Sequence, residues 1–157
     1  MITYQLKKDT VLYHGTVSDF EPNELKLPSW LSFDKEQCHN HICYKYFGNS
    51  NGKILKYITN NIIKLIDLSK DGNSRLYVNA YGNYSFAENI KNGNYGDDIH
   101  GYINYPEQAE VMICQPYLLN YLKSEKVSLN NKVEYKRVTK VDWRMKKDKN
   151  FSFCTIQ

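Results

Sequence analysis

The sequence predicts an α+β domain. Two observations carry that reading. Apolar residues recur with period two in many short runs, and one clearly signalled helix stands early in the chain. No internal repeat, low-complexity segment or dividing linker is visible, so the 157 residues read as one domain, 1–157, long enough to bury a core.

The elements can be justified in order. Thr10 to Thr16 alternates as a strand, with Val11 and Tyr13 on one face and Leu12 and His14 on the other. Residues 17–29 hold Pro22 and Pro28 and read as a loop, and Trp30 to Phe33 as a brief apolar strand. Asp34 is placed as a helix N-cap with Gln37 three residues on, the spacing of a capping box, and the helix is expected to end near Gly48. Lys53–Thr59 and Ile62–Leu68 are β-type runs around Asn60-Asn61, which predicts a hairpin. Residues 69–98, rich in Gly, Asn, Asp and Tyr, read mostly as loop with a short helix at Phe86–Ile90. His100–Ile103 and Glu110–Cys114 read as strands, Tyr117–Leu122 as a short helix after Pro116, and Lys132–Met145 and Phe151–Ile156 as closing strands.

Composition narrows the class. Hydrophobic residues at 41% and charged residues at 24% exclude wholesale disorder. No apolar run reaches the length of a membrane span, and the opening MITYQLKKDT has no apolar signal core, so no stable membrane association is expected. Four cysteines are too few for a disulfide scaffold, which predicts reduced thiols and a cytoplasmic location. The net charge is +4, and residues 132–149 hold eight Lys or Arg against three acids. Such a stretch is usually a solvated face, though it can touch phosphates. Cys38, His39, His41 and Cys43 lack paired C-x₂-C spacing and would spread around a helix, so no metal site is expected. Cys154-Thr155-Ile156-Gln157 matches a prenylation box in form, and a terminal strand is the reading preferred for it.

Three separated pieces carry chemistry. Leu12-Tyr13-His14-Gly15-Thr16 puts an imidazole at a strand end, beside a glycine that lets a flat ligand approach its backbone. Trp30-Leu31-Ser32-Phe33-Asp34 leads into the helix. Gln108-Ala109-Glu110-Val111-Met112-Ile113 runs from a polar turn into an apolar strand with a carboxylate at its mouth, where negative charge can stabilise a developing cation.

Together these pieces resemble the ADP-ribosyltransferase superfamily: LYHGT its first-strand motif, WLSFD with the following helix its second, and QAEVMI its Gln-x-Glu turn and catalytic strand. The run His100-Gly101-Tyr102-Ile103 is similar to one found in small bacterial and viral members. The resemblance implies two small packed antiparallel sheets with an NAD cleft between them. It implies that His14 bonds the ribose hydroxyls, that the Gly15 backbone holds the carboxamide with Thr16 beside it, and that Ser32 supports the site. Glu110 becomes the residue that stabilises the oxocarbenium-like transition state, and Gln108 the turn residue facing the acceptor. The ring that stacks on nicotinamide is left between His41 and Tyr44.

The activity so implied is mono-ADP-ribosyl transfer from NAD, consumed as a substrate, to a macromolecular acceptor, a protein ahead of a nucleic acid. The implied setting is a toxin, an effector, or a phage or viral protein. The alternative is a non-catalytic module binding NAD, ADP-ribose or nucleic acid on the same fold.

Overall fold

The computed structural model describes residues 1–17, 25, 29–45, 51–70, 72–80, 83–104 and 110–128. The strands expected at Lys132–Met145 and Phe151–Ile156, the basic stretch and the Cys154 box lie outside them, as does most of the loop expected at 17–29.

Among the described residues, eight strands and three α-helices follow in order: β1 (Thr3–Leu6), β2 (Val11–Thr16), β3 (Ser29–Ser32), α1 (Lys35–Lys45), β4 (Asn51–Thr59), β5 (Ile63–Asp67), α2 (Asn73–Asn79), α3 (Asn83–Lys91), β6 (Gly101–Asn104), β7 (Glu110–Ile113) and β8 (Leu119–Ser128). The α+β class holds. Hydrogen bonding, however, joins the strands in one order, β1-β5-β6-β7-β3-β2-β4-β8, rather than in two separate sheets. The pairing is also mixed, because β5 and β6 run parallel.

That order cannot be flat. β1 and β2 stand five strand positions apart in the sheet, about 24 Å at ordinary strand spacing. The chain from Leu6 to Val11 can reach only about 17 Å when fully extended. The same conflict holds for β4 and β5, which are as far apart in the order and joined by an even shorter link. The sheet therefore doubles back on itself. The place where it can do so is visible in the register: among the described residues β2 and β3 meet in a single pair, Tyr13↔Ser32. On one side of this seam lie β1, β5, β6, β7 and β3; on the other lie β2, β4 and β8. The first core is drawn from both arms, with Leu6, Leu65 and Val111 from one and Leu12, Leu55 and Tyr57 from the other. The two short links are tied together by Thr59, whose hydroxyl accepts from Thr10 N–H (2.9 Å) and donates to the Lys7 carbonyl (2.9 Å).

The hairpin expected at Asn60-Asn61 does not form. Both edges of β4 are taken, by β2 and β8, and β5 pairs instead with β1 and β6. Asn60 is spent on the far connection, donating to the Tyr117 carbonyl and to Asn120 Oδ1. The helix expected at Tyr117–Leu122 is also corrected. A single 3₁₀ turn, Pro116–Leu118, leads straight into β8, which pairs along the length of β4 with a register shift between Lys56 and Tyr57. The stretch 69–98 holds two helices rather than one, because a parallel β5–β6 pair needs a long crossover and helices shield it.

These helices cover the outer face of the longer arm. Neighbouring apolar residues split between faces: Leu65, Ile103 and Val111 enter the first core, while Ile66, Tyr102 and Met112 enter the second with Phe86, Ala87 and Ile90 of α3. Tyr102 is the centre of this second core, with ring centroids 5.0 Å from Phe86, 5.5 Å from Trp30 and 6.0 Å from Tyr77. Its buried hydroxyl finds no hydrogen-bond partner among the described residues. A buried unpaired hydroxyl costs stability, so Tyr102→Phe is expected to stabilise the protein by about 1 kcal/mol. A urea unfolding midpoint equal to or below that of the wild type would show that the hydroxyl is satisfied.

Candidate functional site

The site is built at the seam. Past the Tyr13↔Ser32 pair the two strands no longer bridge, and a cavity of about 270 Å³ opens. It is lined by His14, Gly15, Trp30, Leu31, Ser32, Gln37, Cys38 and Glu110. Residues from β2, β3, α1 and β7 thus meet there.

His14 is fixed by the strand across the seam. Its Nδ1–H donates to the Trp30 carbonyl at 2.7 Å. A carbonyl only accepts, so Nδ1 carries the hydrogen, and in the neutral ring Nε2 is then the acceptor. Burial pushes the imidazole below its ordinary value of 6.5, against the opposing pull of the Trp30 carbonyl. His14 is therefore neutral at pH 7. His100 is lowered too, first by burial. A lowered histidine resists in the folded state a proton that the unfolded chain accepts. Stability is then full above about pH 6.5 and declines as pH falls below it. Denaturant midpoints at pH 7.5 and 5.5 are expected to show the loss at the lower pH; equal midpoints would contradict it.

Gly15 serves α1 as well as the cavity. A Cβ there would stand 2.8 Å from the Cys38 carbonyl oxygen and 3.2 Å from Ile42 Cδ1. Only glycine lets the helix lie this close to β2. Cys38, under that contact, is a buried thiol pushed up to about 12, chiefly by burial and then by Asp34, with a backbone hydrogen bond at Gly15 opposing. It stays protonated at neutral pH and is no nucleophile.

The α1 N-terminus forms as the sequence predicts, with a difference. Asp34 caps it, its Oδ1 accepting from Glu36 N–H at 2.9 Å. Gln37, however, does not close a capping box. The Asp34 N–H donates instead to Ser32 Oγ at 3.0 Å, Ser32 Oγ–H donates to Gln37 Oε1 at 2.6 Å, and Gln37 Nε2–H donates to Glu110 Oε1 at 3.0 Å. Ser32 and Glu110 are also register partners on β3 and β7.

His14, Gly15, Ser32 and Glu110 are thus brought to one cavity, as the sequence led us to expect. Thr16 is buried at the end of β2, opposite Lys53, and does not line the cavity. Gln108 lies outside the described residues, and so do the side chains of His41 and Tyr44, whose backbone belongs to α1. Sequence reasoning missed Gln37 and Trp30 as site residues. Gln37 carried a signal, its capping-box position, but that signal pointed to its own helix. Among the described residues no three His, Cys, Asp or Glu side chains stand together as a metal site, and no helix is long and apolar enough to cross a membrane.

Chemically, the cavity offers a neutral imidazole acceptor, a carboxylate held by an amide, and apolar walls. That set can bind the hydroxyls of a sugar and place negative charge beside it. Comparison of the chain with family models, curated proteins and solved structures gives no match.

Proposed function

We propose that the protein transfers a single ADP-ribosyl unit from NAD to a macromolecular acceptor, releasing nicotinamide. The observation that carries the proposal is that His14 and Glu110, far apart in sequence, line one cavity at the seam of a doubled-back sheet. On this reading the two arms are the divided sheet of the ADP-ribosyltransferase superfamily, and NAD lies between them. The cavity, about 270 Å³, sits at the lower end of ordinary ligand pockets and suits the nicotinamide riboside half of the dinucleotide.

The chemistry follows from the residue types. The bond between nicotinamide nitrogen and the anomeric carbon breaks, and both its electrons leave with nicotinamide. Positive charge grows on the ribose, and the Glu110 carboxylate stabilises it. An acceptor nucleophile then bonds the anomeric carbon and loses its proton. His14, neutral with Nε2 as acceptor, takes a hydrogen bond from a ribose hydroxyl and fixes the sugar while this happens.

The test is incubation of the protein with NAD labelled in nicotinamide, with and without a cell lysate. Free nicotinamide is expected in both, with the added ADP-ribosyl mass on lysate macromolecules; scanning protein and nucleic acid together identifies the acceptor. Binding of NAD without release would assign a non-catalytic module instead. Neither binding nor release would overturn the proposal.

A further inference from the structure

We propose that Gln37 is a positioning residue for Glu110, transmitting the placement of Ser32 and of the start of α1 to the carboxylate. The inference rests on the reading of Glu110 as the group that meets the ribose.

The argument begins with what Gln37 is not doing. At the third position of a helix a glutamine side chain ordinarily turns back to the N-cap N–H. Here that N–H is given to Ser32 Oγ, which frees the amide to reach across the cavity wall from β3 to β7. The amide can point only one way. A carboxylate only accepts, so Glu110 requires Nε2–H, which turns Oε1 to Ser32, and Ser32 Oγ, while accepting from Asp34 N–H, donates its own hydrogen to that oxygen. Turning the amide over would set its oxygen against the Glu110 oxygen. Three bonds therefore run in one direction, from Asp34 N–H through Ser32 and Gln37 to Glu110 Oε1, each polarising the next. The outcome is a carboxylate with one oxygen pinned and its ionised form favoured.

Among the described residues, the titratable groups placed around Glu110 are His14 from β2, Cys38 from α1 and Tyr102 from β6. Burial holds the thiol and the phenol protonated through neutral pH, and His14 is neutral.

The experiment follows the Glu110 side-chain carboxyl by carbon NMR through a pH titration, in the wild type, Gln37→Met and Gln37→Glu, beside nicotinamide release. In Gln37→Met the Glu110 midpoint is expected to rise, because a donor to the charged form is gone. Its kcat is expected to fall about 10- to 100-fold with KM for NAD little changed. Gln37→Glu keeps the size of the side chain and its bond from Ser32, but sets two carboxylates against each other. They would share one proton, so release should fall as pH rises through the new midpoint and recover on the acid side, a limb the wild type lacks. A Glu110 titration unchanged in both variants, or a wild-type kcat in Gln37→Met, overturns the proposal. The NMR arm needs no NAD turnover. A shifted midpoint in a protein whose wild type releases no nicotinamide keeps Gln37 as the positioning residue and removes the transferase reading. Thermal melts of both variants guard against misfolding.

Discussion

Glu110→Gln is expected to slow nicotinamide release about 10²–10³-fold while NAD affinity changes little. The substitution is chosen to remove charge and nothing else. The amide has the size of the carboxylate, and its carbonyl oxygen can still accept the Gln37 Nε2–H that now reaches Glu110 Oε1 at 3.0 Å. Ser32, its register partner, keeps its bonds to Asp34 and Gln37. What disappears is the negative charge beside the anomeric carbon, which matters when positive charge builds there and hardly at all in the ground state. Hence kcat should fall and KM should stay. Release at the wild-type rate from a variant that melts at the wild-type temperature would remove Glu110 from the mechanism.

Gly101→Ala is expected to cost about 3 kcal/mol of stability or more. The reason lies in where β6 sits, between β5 and β7 with residues pairing on both sides. A Cβ on Gly101 would stand 1.9 Å from the Met112 carbonyl oxygen and 3.1 Å from Leu65 Cδ2. The first of these neighbours is backbone, held in the β6–β7 ladder, and cannot swing aside as a side chain would. The strand must shift, and with it Tyr102 at the centre of the second core. For a domain of this size the loss corresponds to a fall in Tm of about 10 °C. A melt within a degree or two of the wild type would show that the ladder yields at little cost. Gly101 was singled out in the sequence as part of a family-like run, and its packing supplies a reason for glycine that does not depend on any ligand.

Much of the site-bearing region was legible because its signals are local. β2, β3, β6 and β7 show themselves as short apolar runs, and α1 is announced by Asp34. Elements whose reasons are non-local were misread or missed. β1 is a short strand whose role is to close the edge beside β5. α2 starts at Gly72 in the left-handed region with no side-chain cap, so it lacks the usual start signal. Leu118 at the end of the 3₁₀ turn and Leu119, Tyr121 and Leu122 at the beginning of β8 stand at spacings that also fit a helix, and the register shift opposite Lys56/Tyr57 breaks the strand's alternation. Asn60-Asn61 has the chemistry of a hairpin turn, but strand pairing is decided by which edges are open. Gln37 escaped for a related cause: a local role at the helix start was sufficient to explain it, while its actual partner, Glu110, belongs to a strand far along the chain.

The doubling of the sheet has a consequence for biosynthesis. The strands of the two arms interleave in chain order, one arm taking β1, β3 and β5 to β7 and the other β2, β4 and β8. Neither arm can therefore be completed by an unbroken stretch of nascent polypeptide. As the chain leaves the ribosome, β4 lacks its outer neighbour until β8 emerges, and β1 waits for β5. Productive folding is then governed by pairings between segments far apart in the chain, and is correspondingly slow.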